Sequence, residues 1–126
     1  MCGIVGYIGE KSAVDILLNG LTKLEYRGYD SSGIALNNGR YIETYKAVGK
    51  LNNLKEVISP MKGELDKSTI GIGHIRWATH GAPTTVNAHP HTCNCGKLVL
   101  VHNGIIENYQ ELREELEKPL IIGEDD

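Results

Sequence analysis

The chain has no phenylalanine and a single tryptophan, so any core it builds is aliphatic. It has no excess of positive charge. A net charge of -3 and a pI near 5.9 argue against a nucleic-acid partner, because phosphate-backbone binding needs a basic surface. It has no long apolar run. Leu98-Val99-Leu100-Val101 is among the longest, far short of the roughly 18 residues a membrane span requires, so no membrane partner is expected. The N-terminus has no basic leader, so no secretory signal is expected. Cysteine is scarce: three residues are an odd count and suggest no disulfide framework. That usage fits a reducing, cytoplasmic compartment. Repeats, linkers and low-complexity runs are absent, and 126 residues make one domain or less. What is plentiful is glycine, 15 residues, which implies many loops.

What is present starts with Met1-Cys2-Gly3-Ile4-Val5-Gly6. Removal of Met1 before a side chain as small as Cys2 would leave a thiol and a free α-amine on one residue. An α-amine titrates near ~7.7–8.0, so part of it is unprotonated at neutral pH. A thiol near ~8.5 needs only modest help to become thiolate. The amine can take the thiol proton and later return it to a leaving group. The alternative reading is a small apolar residue opening a buried strand.

Apolar patterning gives the elements. Residues Cys2 to Gly9 read as a buried strand. Ser12 is placed to cap a helix running through Arg27, with Val14, Leu17, Leu18, Leu21 and Leu24 at helical spacing. Ile34 to Leu36 begin a strand, and Asn38-Gly39 turns it into a second one from Tyr41 to Val48. Leu51, Leu54, Val57 and Ile58 suggest a short helix. Thr69 to Trp77 reads as a strand, Thr79 to Gly96 as a long polar loop, and Leu98 to His102 as a strand. Asn108 to Lys118 reads as a helix and Leu120 to Ile122 as a last strand.

Four segments stand out: Cys2-Gly3-Ile4-Val5-Gly6, Leu24-Glu25-Tyr26-Arg27-Gly28-Tyr29-Asp30-Ser31-Ser32-Gly33, His74-Ile75-Arg76-Trp77-Ala78-Thr79-His80-Gly81 and His102-Asn103-Gly104-Ile105-Ile106-Glu107-Asn108. Together they resemble the glutamine amidotransferases that use an N-terminal cysteine. Their order and spacing are those of the family. The second and third segments are similar to the branch that aminates fructose 6-phosphate. The resemblance implies an α+β fold, the four-layer αββα sandwich of N-terminal-nucleophile (Ntn) hydrolases, only partly present here. On that reading residues 1–126 are the N-terminal portion of the amidotransferase domain, without the sugar isomerase domains.

The resemblance also implies roles. L-glutamine would be attacked by Cys2. The Asn103 side chain and the Gly104 N–H would form the oxyanion hole. Arg76 would hold the substrate carboxylate, assisted by Thr79 and His80. Trp77 would match a gating tryptophan; core packing is the other reading. Arg27 and Asp30 would brace the loop near Cys2. Aligning Gly123-Glu124-Asp125-Asp126 with the family's Ser-Glu-Thr-Asp puts Asp126 on the substrate amine; an unrelated acidic tail is the alternative. Neither step of glutamine hydrolysis implies a cofactor. Fructose 6-phosphate would bind the absent domains. A half-sandwich would expose an apolar sheet edge, so a complementary chain or a homo-oligomer is an expected partner. A rival reading is a catalytically silent or split fragment acting as a partner-binding subunit.

His89, His91, Cys93 and Cys95 alternate like metal ligands. In an extended strand they would spread over about 20 Å, too far for one tetrahedral zinc. No metal is expected, and Cys93-Asn94-Cys95-Gly96 reads as a surface turn.

Overall fold

The computed structural model describes residues 2–27, 30–77 and 84–117, except for the side chain of Arg27. Four strands form one antiparallel sheet: β1 (Gly3–Ile8), β2 (Ser31–Asn37), β3 (Ile42–Val48) and β4 (Ile70–Arg76), in the order β1-β4-β2-β3. Helices α1 (Ala13–Leu24) and α2 (Leu51–Ile58) pack on one face of it. A one-turn helix, α3 (Lys62–Leu65), leads into β4. A short hairpin follows, β5 (His91–Thr92) with β6 (Val99–Leu100), and then helix α4 (Tyr109–Glu117).

The core is aliphatic, as the missing phenylalanine requires. Val14, Leu17 and Leu21 of α1 and Leu51, Leu54 and Ile58 of α2 meet Ile34 and Leu36 of β2 and Ile75 of β4. All nine are buried, and truncating such a leucine costs ~2–5 kcal/mol. Strand parity decides which residues join this core. Gly3, Val5 and Tyr7 of β1 face α1, so Ile4, Gly6 and Ile8 face the other way. On β4 the alternation sends Ile75 into the core and Ile70, Ile72, His74 and Arg76 to the opposite face.

Several expectations change in detail. The first strand is buried on one face only: Ile4 is 44% and Ile8 77% exposed. Ser12 does stand before α1, but it makes no side-chain cap. Its hydroxyl donates to Asp66 Oδ1 at 2.9 Å, while the Ala13 N–H donates to Ser68 O at 2.9 Å. The start of α1 is therefore tied to the segment between α3 and β4 rather than closed by a side-chain cap of its own. A 3₁₀ turn, Glu25–Arg27, replaces the last part of the expected helix. The Asn38-Gly39 turn is present, with Gly39 at φ +94°, a conformation that favours glycine. The strand expected over 98–102 shrinks to two residues. The strand expected over 120–122 lies outside the described residues.

Candidate active site

The sheet face away from α1 and α2 gathers the residues with chemistry. Gly3 pairs with Ile75, so continuing that register by one residue sets Cys2 level with Arg76. Arg76 also pairs with Ser31 across β2. Residues level on adjacent strands project to the same side, about 4.5–5.5 Å apart at Cβ. The Cys2 thiol is free and donates to the Trp77 carbonyl oxygen at 3.8 Å. Arg76 is only 7% exposed. Its carbonyl accepts the Asp30 N–H at 2.9 Å, and the Asp30 carbonyl accepts the Gly49 N–H at 2.8 Å. Asp30 thus ties the starts of β2 and α2 to the end of β4.

One turn of the chain after β6 brings Asn103 to this same face. His74, fully buried on β4, lies with Nε2 2.6 Å from Asn103 Oδ1. The His89 ring stacks on His74 with centroids 4.2 Å apart, and the His91 ring leans on His89 at 4.4 Å. The backbone of residues 88–90 comes close because β2 has Gly33 there: a Cβ at that position would collide with His89 O. Lys46 Nζ donates to Ala88 O at 2.8 Å and pins the segment from the β3 side.

Burial favours the neutral form of the three imidazoles. Desolvation pushes His74 below the ordinary histidine range; the Asn103 hydrogen bond and Asp30 oppose this, while Arg76 and His91 add to it. His89 is pushed down to about 4, first by burial and then by the charges of His74, His91, Arg76 and Lys46. His91 is lowered by burial, Lys46 and Arg76. Desolvation lowers Lys46 as well. A stack of neutral rings beside one buried guanidinium avoids the repulsion that charged rings would bring.

Of the residues expected in a site, Cys2, Arg76, Asp30, Asn103 and the Trp77 backbone fall in this region. Gly104 follows Asn103 and borders a groove of about 830 Å³ lined also by His89, His91, Leu100, Ile106 and Tyr109. Cys2 and Arg76 do not line that groove. The Trp77 side chain is 50% exposed, so it does not pack in the core. Thr79, His80 and Asp126 lie outside the described residues, as does the side chain of Arg27.

Sequence reasoning passed over His74, His89 and His91 as members of this cluster. For His74 the signal was available: it is two residues before Arg76 on a strand, hence on the same face. On an extended-strand spacing His89 and His91 read as part of an alternating His/Cys set; in the structure their rings pack together. Cys93 and Cys95 are joined to each other by a disulfide, against the expectation of none. The turn at Asn94-Cys95-Gly96 brings their Cα atoms to 5.3 Å, within bonding reach. Bonded sulfurs offer no thiolate ligands, and among the described residues no group of three His, Cys, Asp or Glu is placed to hold a metal.

The pattern of the glutamine amidotransferase domain family matches residues 43–121. The chain belongs to that family. It is 56% identical over 119 residues to the glutamine–fructose-6-phosphate aminotransferase (isomerizing) of Thermus thermophilus, covering 93% of this chain and 19% of that protein. It is 52% identical over 117 residues to the protein of the same name from Mycobacterium tuberculosis, covering 93% and 19%. The glutamine phosphoribosylpyrophosphate amidotransferase of B. subtilis, solved with ADP and GMP, superposes with a TM-score of 0.72 at 29% identity, covering 98% of this chain and 26% of that one. The chain spans about a fifth of the length of the curated relatives it matches. The amidotransferase domain therefore has the α+β architecture of the Ntn fold, of which one sheet and its helix layer are seen together with a short hairpin.

Proposed function

We propose that this amidotransferase domain hydrolyses the side-chain amide of L-glutamine through a thioester on Cys2. The observation that carries the reading is the register of β1 on β4, which sets a free thiol level with a nearly buried Arg76. With Met1 removed, the Cys2 amine takes the thiol proton. The sulfur attacks the amide carbon, and the oxyanion is stabilised by the Asn103 carboxamide and the Gly104 N–H. Two such donors are the usual complement of this chemistry, and losing one costs ~10²–10³ in rate. The intermediate collapses, the C–N bond breaks, and the nitrogen leaves as ammonia with the proton held by the amine. Water then adds to the thioester, releases glutamate and restores the thiol.

Arg76 holds the substrate carboxylate bidentately, a role suited to a planar guanidinium fork. Thr79 and His80 assist it, Asp126 receives the substrate amine, and Trp77 gates the route by which ammonia leaves. Arg27 braces the Cys2 region with Asp30. No metal or redox cofactor enters this cycle. In the whole protein the ammonia passes to fructose 6-phosphate, giving glucosamine 6-phosphate; the names of the curated relatives support that acceptor. The exposed strip of Ile4, Ile8 and Ile70 requires apolar cover, from more of the domain, a complementary chain or a second copy. A reducing, cytoplasmic setting would keep Cys2 as the free thiol, and would hold Cys93 and Cys95 as thiols too. Among the described residues no helix is long and apolar enough to cross a membrane.

The test is glutamate release from L-glutamine by the full-length protein, with Cys2→Ala beside it. Hydrolysis by wild type and none by the variant supports the reading. Equal hydrolysis by both overturns it.

A further inference from the structure

We propose that His74 is a positioning residue whose Nε2–H holds the Asn103 carboxamide by its oxygen, so that the Asn103 NH₂ is the edge presented to the reacting carbonyl. This rests on the oxyanion role proposed for Asn103.

A carboxamide has an accepting end and a donating end of nearly the same shape. Unless something fixes it, it can rotate and offer the wrong end. An oxygen turned toward a developing oxyanion would repel it, where an N–H would stabilise it. The amide therefore needs a donor on its oxygen side. Among the described residues the polar partner of Asn103 is His74 Nε2, at 2.6 Å from Oδ1.

The surroundings favour Nε2–H as that donor. His74 is fully buried, and its Nδ1 is buried with no hydrogen-bond partner among the described residues. A neutral ring carries one N–H. Placing it on Nδ1 would orphan a buried donor, which is rare; placing it on Nε2 leaves only a bare lone pair. The ring itself cannot turn freely. His89 stacks on it at 4.2 Å, His91 packs on His89, and His89 Nδ1 accepts the His102 N–H at 3.4 Å. The histidine stack thus ties β4 to the residue next to Asn103 and fixes the height at which the amide arrives. Protonation would not break the link, since an imidazolium also donates through Nε2.

The test uses two isosteric variants in the full-length protein. The glutamine amide nitrogen has about the reach of histidine Nε2; the asparagine one has about the reach of Nδ1. His74→Gln is expected to keep glutaminase kcat within a few-fold of wild type. His74→Asn is expected to lower kcat by roughly 10–10²-fold with KM changed less than about three-fold, as loss of a contact that strengthens only in the transition state should. In the double variant with Asn103→Ala, His74→Asn should add little further loss, because both act through one amide. If Asn103→Ala alone leaves kcat intact, the oxyanion reading fails. If Asn103→Ala lowers kcat but the His74→Asn loss is absent or simply multiplies with it, that reading stands and the positioning role is overturned. Should the variants not fold, ¹⁵N spectra of histidine-labelled wild type decide. A neutral His74 with its proton on Nε2, shifted by Asn103→Ala, supports the proposal; a proton on Nδ1, or no shift, overturns it.

Discussion

On the sheet face that meets α1 and α2, Leu17, Leu21, Ile34, Leu36 and Ile75 are fully buried. On the opposite face, which also carries Cys2, His74 and Arg76, Ile4 beside His74 is 44% exposed, and the Ile8 and Ile70 pair at the far end of the strands is 77% and 40% exposed. The same four strands supply both faces, since side chains alternate along each. The first face is filled by apolar groups that need no partner beyond each other. The second carries a thiol, a guanidinium and imidazoles, which need defined polar neighbours. On the function proposed for Cys2 and Arg76, the pleat of one sheet separates stability from chemistry, and substitutions on the two faces should fail in different ways.

The largest effect should come from Cys2. Cys2→Ala is expected to abolish glutamine hydrolysis in the full-length protein with no change in melting temperature, and Cys2→Ser to be nearly as inactive, since a hydroxyl is a far poorer nucleophile. A parallel loss of stability would mean that Cys2 belongs to the structural face. Leu21→Ala, on the other side of the sheet, should cost ~2–5 kcal/mol in chemical denaturation. Wherever that variant remains folded it should keep the wild-type KM, and a raised KM there would break the separation.

Within the second face, Asn103→Ala and Arg76→Ala should differ in kind. Asn103→Ala is expected to lower kcat by ~10²-fold or more with little change in KM, since its contact strengthens as the oxyanion forms. Arg76→Ala should raise KM strongly, because the carboxylate it holds does not change during reaction. Any fall in kcat is expected to come only from loose positioning of substrate. The reverse pattern in steady-state kinetics would exchange or refute the two roles.

The smallest effect concerns pH. His89 is held down to about 4 in the folded protein, against ~6.5 in an unfolded chain. Between those values the unfolded state binds a proton that the folded state refuses, so stability rises with pH there. The stability is full above the unfolded value and falls as pH drops toward the folded one. Melting temperature should therefore decline from near-neutral to mildly acidic pH, and less steeply in His89→Gln. An unchanged slope would place the titrating group elsewhere.

Much of this was legible in the sequence because apolar spacing reports burial directly. Val14, Leu17 and Leu21 mark α1, and Leu51, Leu54 and Ile58 mark α2, at the period of a helix. Asn38-Gly39 marks its hairpin through the backbone conformation it tolerates. The motifs around Cys2, Arg76 and Asn103 single these residues out, and the structure sets Cys2 level with Arg76 and Asn103 against His74. What could not be read depends on contacts distant in sequence. Ser12 bonds Asp66 because α3 folds back on α1. His89 stacks on His74 because Gly33 leaves room for the chain. Val57 fits the helical pattern yet is 42% exposed, since only one side of α2 meets the sheet.

The most direct test is mass spectrometry of the N-terminal peptide from protein quenched during turnover with L-glutamine. The account predicts a peptide that begins at Cys2, without Met1, with a fraction carrying one γ-glutamyl group on the Cys2 sulfur. An acyl group found on another residue, or Met1 retained on protein that hydrolyses glutamine, would contradict it.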